Sequence, residues 1–330
     1  MKLGIEFVPN TTIQKLVDWT KLAESVGFDY VWVTDHYNNR NVYESLAAIA
    51  LSTSRIRMGT GVTNPYVTNP AWTAAALATL QELSGGRAVL GLGPGDRSTL
   101  AALGMAMEKP LAAVNESVDV MRRLWKGESV DMSGEYFSFK GARLGFKVDQ
   151  RIPVYIGAQG PKMLNLAGKI GDGALINASH PTDLKTAIEH IVEGASSAGR
   201  SVTEVDITAY TCFSVDVDGA KAKSKAAEVV AFIVAGCPPE VLRRHGISDE
   251  EANKLREAIA KGDFATLFSH VKENMLSAFS IAGTPEECLS KLQEVAKTGV
   301  TQFVVGSPIG PKKADAIKLI SEKLIPTLKS

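Results

Sequence analysis

The chain has 330 residues, and its content of 45% hydrophobic and 22% charged residues excludes intrinsic disorder. No apolar run approaches the roughly 18 residues of a membrane span, and the 36 basic residues, which balance 36 acidic ones, are too scattered for a nucleic-acid-binding surface. Three widely spaced cysteines, five histidines without a metal-binding pair and a strand-like N-terminus predict a cytoplasmic protein with reduced thiols, no bound metal and no signal peptide.

Short runs of β-branched and aromatic residues alternate along the chain with segments of helical periodicity. Eight of these runs are predicted to be strands: Leu3–Val8, Tyr30–Thr34, Ile56–Gly61, Arg87–Gly93, Val154–Gly157, Ala174–Ile176, Val205–Val215 and Thr301–Gly306. Strands that alternate with helices favour a parallel sheet. Two connections, approximately 94–152 and 216–300, are much longer than an ordinary crossover, and without their surplus roughly 230 residues remain, close to a bare (β/α)8 barrel. The sequence therefore predicts a single TIM-barrel domain with insertions after the fourth and seventh strands, and an open doubly wound sheet is the alternative.

The two insertions have different predicted structures. The first contains a helical stretch at Leu111–Trp125, followed by Ser129–Phe139, in which Gly134 separates two strand-like runs and predicts a hairpin. The second is predicted to be mostly helical, at Ala220–Ala235, Glu240–His245, Asp249–Ala260 and Phe264–Phe279. These helices could cover a barrel end, form a subunit contact or act as a substrate lid.

Three acidic residues are candidates for catalysis, because the active site of such a barrel lies at the carboxyl ends of its strands. The period of two in the first strand directs Glu6 into the barrel and its apolar neighbours outwards. A carboxylic acid that is shielded from water keeps its proton to higher pH and can donate it near neutrality. The alternative for Glu6 is an ion pair. Asp35 follows the second strand and could instead brace a loop, and Asp96 follows the fourth.

Glycine-rich segments also follow several strands. The glycines of Gly59–Pro65 would allow a flat ligand to approach the backbone or an unusual peptide geometry to form, although a tight turn is the favoured alternative. Gly91–Asp96 predicts a flexible, glycine-lined barrel mouth. It lacks the last glycine of the dinucleotide fingerprint, so we reject nicotinamide binding. The loops Gly157–Lys162 and Asn177–His180 precede helices and could bind an anion through backbone N–H groups, although either could be an ordinary turn. Together these segments suit a ligand with a planar head and an anionic tail.

Four segments resemble the bacterial luciferase-like superfamily, whose members are barrels that bind flavin or deazaflavin: Gly27–His36, Gly59–Pro65, Gly85–Gly93 and Pro153–Ala158. The whole chain, and Met1–Pro9 and Asp35–Tyr43 most specifically, resembles the coenzyme F420-dependent methylenetetrahydromethanopterin reductases of methanogenic archaea. The resemblance implies reversible hydride transfer from reduced coenzyme F420 to 5,10-methylenetetrahydromethanopterin, which gives 5-methyltetrahydromethanopterin in one-carbon metabolism. It also implies a homo-oligomer that uses neither a metal nor flavin.

The resemblance further implies a non-prolyl cis peptide bond at Gly61–Val62, which forms a bulge against the deazaflavin ring. The residues expected to bind the coenzyme are Asp35, Thr60, Gly61, Val62, Asn64, Gly157, Ala158, Gln159, Asn177, Ala178 and Ser179. Opening the imidazolidine ring of the pterin requires protonation of a nitrogen, and Glu6 is the predicted donor. Asp96 would tune Glu6 or stabilise the cation, and the sequence does not rank these two acids. Asp35 would orient the coenzyme or the pterin. The alternatives are a monooxygenase dependent on flavin mononucleotide and a non-catalytic deazaflavin-binding barrel.

Overall fold

The structure, a computed structural model, describes residues 1–329. Its strands are β1 (Lys2–Phe7), β2 (Tyr30–Val33), β3 (Arg57–Thr60), β4 (Ala88–Leu92), β5 (Val130–Ser133), β6 (Ser138–Ala142), β7 (Val154–Ala158), β8 (Gly173–Asn177), β9 (Asp206–Val215), β10 (Ser280–Gly283) and β11 (Gln302–Ile309). Eight of them are hydrogen-bonded in the order β9-β11-β1-β2-β3-β4-β7-β8, and β8 also pairs with β9. The ring therefore closes into a parallel barrel, and the predicted (β/α)8 fold is confirmed. The hairpin predicted around Gly134 is formed by β5 and β6.

The helices follow the pattern of the sequence, and side chains cap many of their first turns. They are α1 (Ile13–Ser25), α2 (Val42–Ser52), α3 (Pro70–Leu83), α4 (Arg97–Ala102), α5 (Pro110–Trp125), α6 (Pro161–Ile170), α7 (Pro181–Ser197), α8 (Gly219–Gly236), α9 (Pro239–Arg244), α10 (Asp249–Lys261), α11 (Phe264–Ser269), α12 (Glu273–Phe279), α13 (Pro285–Ala296), α14 (Lys313–Lys323) and α15 (Ile325–Leu328). Thr12, Asn41 and Asn69 accept backbone hydrogen bonds at the starts of α1, α2 and α3. Within residues 1–329, no helix combines the length and the apolarity needed to cross a membrane.

The second insertion differs from its prediction in two respects. The single helix predicted over Phe264–Phe279 is wrong, because α11 ends at Ser269 and α12 begins only at Glu273. The strand β10 was not predicted. Three of its four residues are the small residues Ser, Ala and Gly, which give no strand pattern. They form a strand because they pair in parallel with β9, where Ser280 lies beside Cys212. The region 216–300 therefore ends in an ordinary strand and helix, β10 and α13, rather than in continuous helix.

The chain divides into two compact units. One consists of Lys2–Ile176 and Thr186–Thr208, and the other consists chiefly of Asn177–Lys185 and the residues from Ala209 onward. The first unit contains β1 to β4, the hairpin and β7, with fully buried side chains such as Ile5 and Phe7. In the second unit, helices α8 to α12 enclose their own apolar cluster, which includes the buried residues Val230, Leu255, Leu267 and Met275.

Candidate active site

Side chains that meet across the barrel identify its inner face. The ring of Trp32 in β2 contacts the ring of Tyr155 in β7 edge-on, with 5.2 Å between centroids, although β3 and β4 separate these strands in the sheet. The Tyr155 hydroxyl donates a hydrogen bond of 2.8 Å to Asp206 at the start of β9. Side chains from such distant strands can meet only inside a closed barrel, so Trp32 and Tyr155 point into its interior.

Glu6 lies on this inner face. In the parallel ladder of β1 and β2, Glu6 is in register with Trp32, and Gly4 is in register with Tyr30. Residues in register direct their side chains to the same face of a sheet, and the alternate residues direct theirs to the other face. The apolar residues on the opposite face of β1 are fully buried, whereas Glu6 is half-buried. The register thus agrees with the orientation that the sequence alternation predicts.

The Gly61–Val62 peptide bond is cis, as the resemblance implies. The Val62 side chain packs against two glycines at the ends of β4 and β7. A methyl group added to Gly93 would lie 2.9 Å from Val62 Cγ2, and one added to Gly157 would lie 3.0 Å from Val62 Cγ1. Because van der Waals contact between carbons requires about 3.5–4.0 Å, only glycine leaves room for Val62 at both positions. The bulge is therefore built by three strand ends together.

Two threonines that flank the bulge fix it to β4. The buried hydroxyl of Thr60 donates to Gly91 O at 2.7 Å and accepts from Gly91 N at 3.1 Å. The backbone N–H of Thr63 donates to Gly91 O at 2.9 Å, and its carbonyl accepts from Gly93 N at 3.0 Å. Thr60 was predicted to contact the coenzyme. Its hydroxyl is already hydrogen-bonded to both the N–H and the carbonyl of Gly91, and its contact with the coenzyme stays a prediction.

Asp35 is a half-buried acid with capacity for a ligand. The Thr63 hydroxyl donates to Asp35 Oδ2 at 2.7 Å, and this is the one hydrogen bond that the described residues give the carboxylate. Burial raises the pKa of Asp35, and the Thr63 hydrogen bond and the nearby His36 oppose this rise only in part. The Tyr43 hydroxyl lies 3.4 Å from Thr63 Oγ1. Because the Thr63 proton is directed to Asp35, Tyr43 is the donor in that pair.

The pKa of Asp96 is shifted in the direction opposite to that of Asp35. It is the N-cap of α4, and its carboxylate accepts hydrogen bonds of 2.6–3.1 Å from the backbone N–H and the hydroxyl of both Ser98 and Thr99. Partial burial would raise the pKa of Asp96, but these hydrogen bonds outweigh it and lower the pKa to about 2. Asp96 is therefore ionised near neutral pH. It can stabilise a cation, but it has no proton to donate.

The other predicted coenzyme residues of the first unit lie after the bulge and at the end of β7. Asn64 Oδ1 accepts hydrogen bonds from Tyr66 N at 3.1 Å and Val67 N at 3.0 Å, so this side chain shapes the loop after the bulge. The segment named the Gly157–Gln159 loop comprises the last two residues of β7 and the residue after them, and it leads into α6, whose N-cap, Gly160, offers no side-chain acceptor. The first N–H groups of a helix have no intrahelical partner and favour anions. This loop thus leads to a helix start that can accept an anion.

In the Asn177–Ser179 segment, which belongs to the second unit, the Ser179 side chain already has a hydrogen-bond partner within the chain. Ser179 is buried, and its hydroxyl donates to Phe279 O at 3.1 Å. The next residue, His180, accepts a hydrogen bond of 3.2 Å from Thr182 N at its Nδ1 atom. The Ser179 hydroxyl therefore cannot donate to a phosphate without losing its present bond. The Asn177 side chain is exposed, and its predicted contact with the coenzyme stays a prediction.

The structure also brings together His180, Asp183 and His245, three possible metal ligands that the sequence spacing did not reveal. His245 Nε2 lies 2.7 Å from Asp183 Oδ2, and Arg244 Nη1 donates to Asp183 Oδ1 at 2.5 Å. Arg244 already compensates the charge of Asp183, and the backbone bond to His180 Nδ1 opposes the tautomer in which Nε2 could bind a metal. The cluster is explained as a link between α7 and the end of α9.

Comparisons with known proteins agree along the whole chain. A family model described as luciferase-like monooxygenase matches residues 3–302. The chain is 53% identical over 326 residues to the 5,10-methylenetetrahydromethanopterin reductase of Methanolobus tindarius, covering 98% of this chain and 100% of that protein. It is 52% identical to the reductase of the same name from Archaeoglobus fulgidus, with 100% of both chains covered. The solved structure of the coenzyme F420 dependent tetrahydromethanopterin reductase from Methanopyrus kandleri matches with a TM-score of 0.93 and 44% identity over 99% of both chains.

Proposed function

Because the chain belongs to the luciferase-like family and, within it, to the 5,10-methylenetetrahydromethanopterin reductases, we propose that it reduces 5,10-methylenetetrahydromethanopterin to 5-methyltetrahydromethanopterin. The protein is an F420-dependent oxidoreductase, and reduced coenzyme F420 is the co-substrate that supplies the hydride. A one-carbon carrier of the tetrahydromethanopterin type is the second substrate. The observation that carries this proposal is the Val62 bulge, with the Val62 side chain seated between Gly93 and Gly157.

The residues around the bulge fit a flat heterocycle with an anionic tail. Val62 presents an apolar face that is held in place by β4 and β7. Beside it, Asp35 has one carboxylate oxygen without a hydrogen bond from the described residues. The uncapped start of α6 suits a phosphate. We infer that Val62 supports the ring, Asp35 orients a polar edge of it, and the Gly157–Gln159 loop holds the anionic side.

Glu6 is the proposed proton donor. Ring opening breaks a carbon–nitrogen bond of the imidazolidine ring and leaves a positively charged iminium carbon, provided that the departing nitrogen receives a proton. Glu6, on the inner face of the barrel, gives that proton and recovers one when the coenzyme is oxidised. Asp96, ionised with a pKa of about 2, stabilises the cation instead of supplying a proton. The barrel mouth contributes the alignment of donor and acceptor carbons that hydride transfer requires.

The overall reaction is tested anaerobically with the methylene pterin and reduced coenzyme F420. We expect the wild-type protein to consume both substrates. In a separate aerobic assay, reduced flavin mononucleotide should consume oxygen no faster with the protein than without it. Protein-dependent oxygen consumption with reduced flavin, without turnover of the pterin in the anaerobic assay, would reject the reductase in favour of a monooxygenase.

The role of Glu6 is tested with Glu6→Gln, which keeps the shape of the side chain but removes the proton. We expect kcat to fall by about 10²- to 10⁴-fold, the usual contribution of a general acid. The unfolding temperature and the dissociation constant of coenzyme F420 should stay at their wild-type values. The matched control is Glu257→Gln, on the exposed side of α10, which should change nothing. A kcat close to wild type in Glu6→Gln would remove Glu6 as the acid.

A further inference from the structure

Two polar atoms on the inner face of β2 have no hydrogen-bond partner among the described residues, Trp32 Nε1 and Thr34 Oγ1. Trp32 is 0% exposed and Thr34 is 5% exposed. Thr34 follows Trp32 by two residues, and its N–H continues the ladder by donating to Phe7 O at 3.2 Å. The alternation of the strand therefore extends to Thr34 and directs its side chain to the same inner face as Trp32.

Thr34 lies between Glu6 and the Val62 bulge. Glu6 is in register with Trp32, so Thr34 is one layer nearer to the carboxyl ends of the strands than Glu6. Val33 is in register with Thr60, and Gly61 N donates to Val33 O at 2.7 Å, which places Thr34 beside the first residue of the cis peptide. Trp32 lies deeper, where the rings of Tyr30 and Tyr155 contact it.

A buried hydroxyl without a partner is unfavourable to the folded protein. More than nine in ten buried polar groups in proteins are hydrogen-bonded, and an unmade bond carries a desolvation penalty. Valine has almost the shape of threonine and no hydroxyl, so folding alone would favour valine at position 34. The hydroxyl is explained when a bound molecule completes its hydrogen bonding.

We propose that the Thr34 hydroxyl binds coenzyme F420 by hydrogen-bonding a carbonyl oxygen or a ring nitrogen of the heterocycle that rests against Val62. Thr34 is then a binding residue that sets the height of the coenzyme ring above Glu6. This inference rests on the proposed function, because that function places the heterocycle at the bulge. It adds a contact on the inner face of β2 to the contacts expected from Asp35 and from the Gly157–Gln159 loop.

The test compares Thr34→Val with Thr34→Ser in the full-length protein. In Thr34→Val, we expect the dissociation constant of coenzyme F420, measured by titrating its fluorescence, to rise about 10-fold, the value of one well-placed hydrogen bond. The unfolding temperature without coenzyme should rise by about 2 °C, because the unsatisfied hydroxyl is gone. Thr34→Ser keeps the hydroxyl and should bind within about twofold of wild type.

The control is Thr20→Val in α1. Thr20 is equally buried, but its hydroxyl already donates to Leu16 O at 2.8 Å. We expect this variant to show no rise in unfolding temperature and no change in coenzyme affinity. Comparison of Thr34→Val with Thr20→Val distinguishes the general effect of removing a buried hydroxyl from the specific effect of removing the Thr34 hydroxyl.

Two results would overturn the proposal. An unchanged dissociation constant in Thr34→Val would mean that the coenzyme does not use the hydroxyl. A lower unfolding temperature in Thr34→Val would mean that the hydroxyl has a partner within the protein. Failure of the proposed function is seen separately in the wild-type protein, which would then either not bind coenzyme F420 or bind it without reducing the methylene pterin.

Discussion

An aspartate follows each of the strands β2 and β4, and the pKa values of these two aspartates are shifted in opposite directions. Asp35, after β2, receives one hydrogen bond from the described residues, and burial raises its pKa. Asp96, after β4, receives four hydrogen bonds from Ser98 and Thr99, and its pKa is about 2. The donors that the following loop supplies, more than the position in the barrel, decide what an acid at a strand end can do. The loop after β2 leaves polar atoms for a ligand, whereas the loop after β4 uses them to begin a helix.

The sharpest test of this contrast is coenzyme affinity in Asp35→Asn and Asp96→Asn. Asp35→Asn removes a half-buried carboxylate that can accept a further hydrogen bond, so we expect the dissociation constant of coenzyme F420 to rise by about 10- to 100-fold. Asparagine is as good an N-cap as aspartate, so Asp96→Asn should keep the affinity within about twofold. Fluorescence titration measures both. Equal losses in the two variants would show that both acids face the coenzyme and would remove the contrast.

The second test is the stability of Asp96→Ala. The loss of the cap should lower the free energy of unfolding by about 1 kcal/mol at pH 7, measured by urea denaturation. The pKa of about 2 in the folded protein lies below the ordinary value of 3.8. The stabilisation by Asp96 is therefore complete above pH about 4, and it is lost as the pH falls towards 2. The difference between wild type and Asp96→Ala should shrink over that range. A difference that is constant with pH would mean that the carboxylate charge does not contribute to the cap.

Asp35 should show the opposite pH dependence. Its pKa in the folded protein is raised above 3.8, so the folded state binds the proton more tightly than the unfolded state. Stability then falls as the pH rises from 3.8 through the raised pKa, because the half-buried carboxyl group must ionise. In Asp35→Asn this fall should be absent, so that the variant gains stability relative to wild type with rising pH. The same gain in Asp96→Asn would contradict the assignment.

Much of the barrel could be predicted from sequence because its determinants are local. The period of two in β1 identifies the inward side chain, Glu6, within six residues, and the register with β2 agrees with it. The cis bond at Gly61–Val62 was implied by a short motif of a known family. By contrast, β10 has four residues without a strand pattern of its own, and its pairing with β9 alone makes it a strand.

Hydrogen bonds between residues far apart in the chain could not be predicted from the sequence. These bonds determine which of the predicted site residues have side chains already engaged within the protein. The Thr60 hydroxyl is occupied by Gly91, 31 residues away, and the Ser179 hydroxyl by Phe279, 100 residues away. The composition of neither segment indicates which distant residue its hydroxyl will bond. The N-cap role of Asp96 is local, since Ser98 and Thr99 follow directly, and capping rules applied to that segment would have found it.

The smallest expected effect concerns Tyr43, which donates to Thr63 while Thr63 donates to Asp35. Tyr43→Phe removes the first donor of this chain, which makes the Thr63 hydroxyl a weaker donor and leaves the Asp35 carboxylate less stabilised. We expect the dissociation constant of coenzyme F420 to rise two- to threefold, or about 0.5 kcal/mol, and the pH at which binding weakens to move upward. Tyr136→Phe, at a half-exposed tyrosine outside this chain, is the control. If Tyr43→Phe bound the coenzyme as wild type does at every pH, the 3.4 Å contact would be packing without electrostatic consequence, and burial and Thr63 alone would set the state of Asp35.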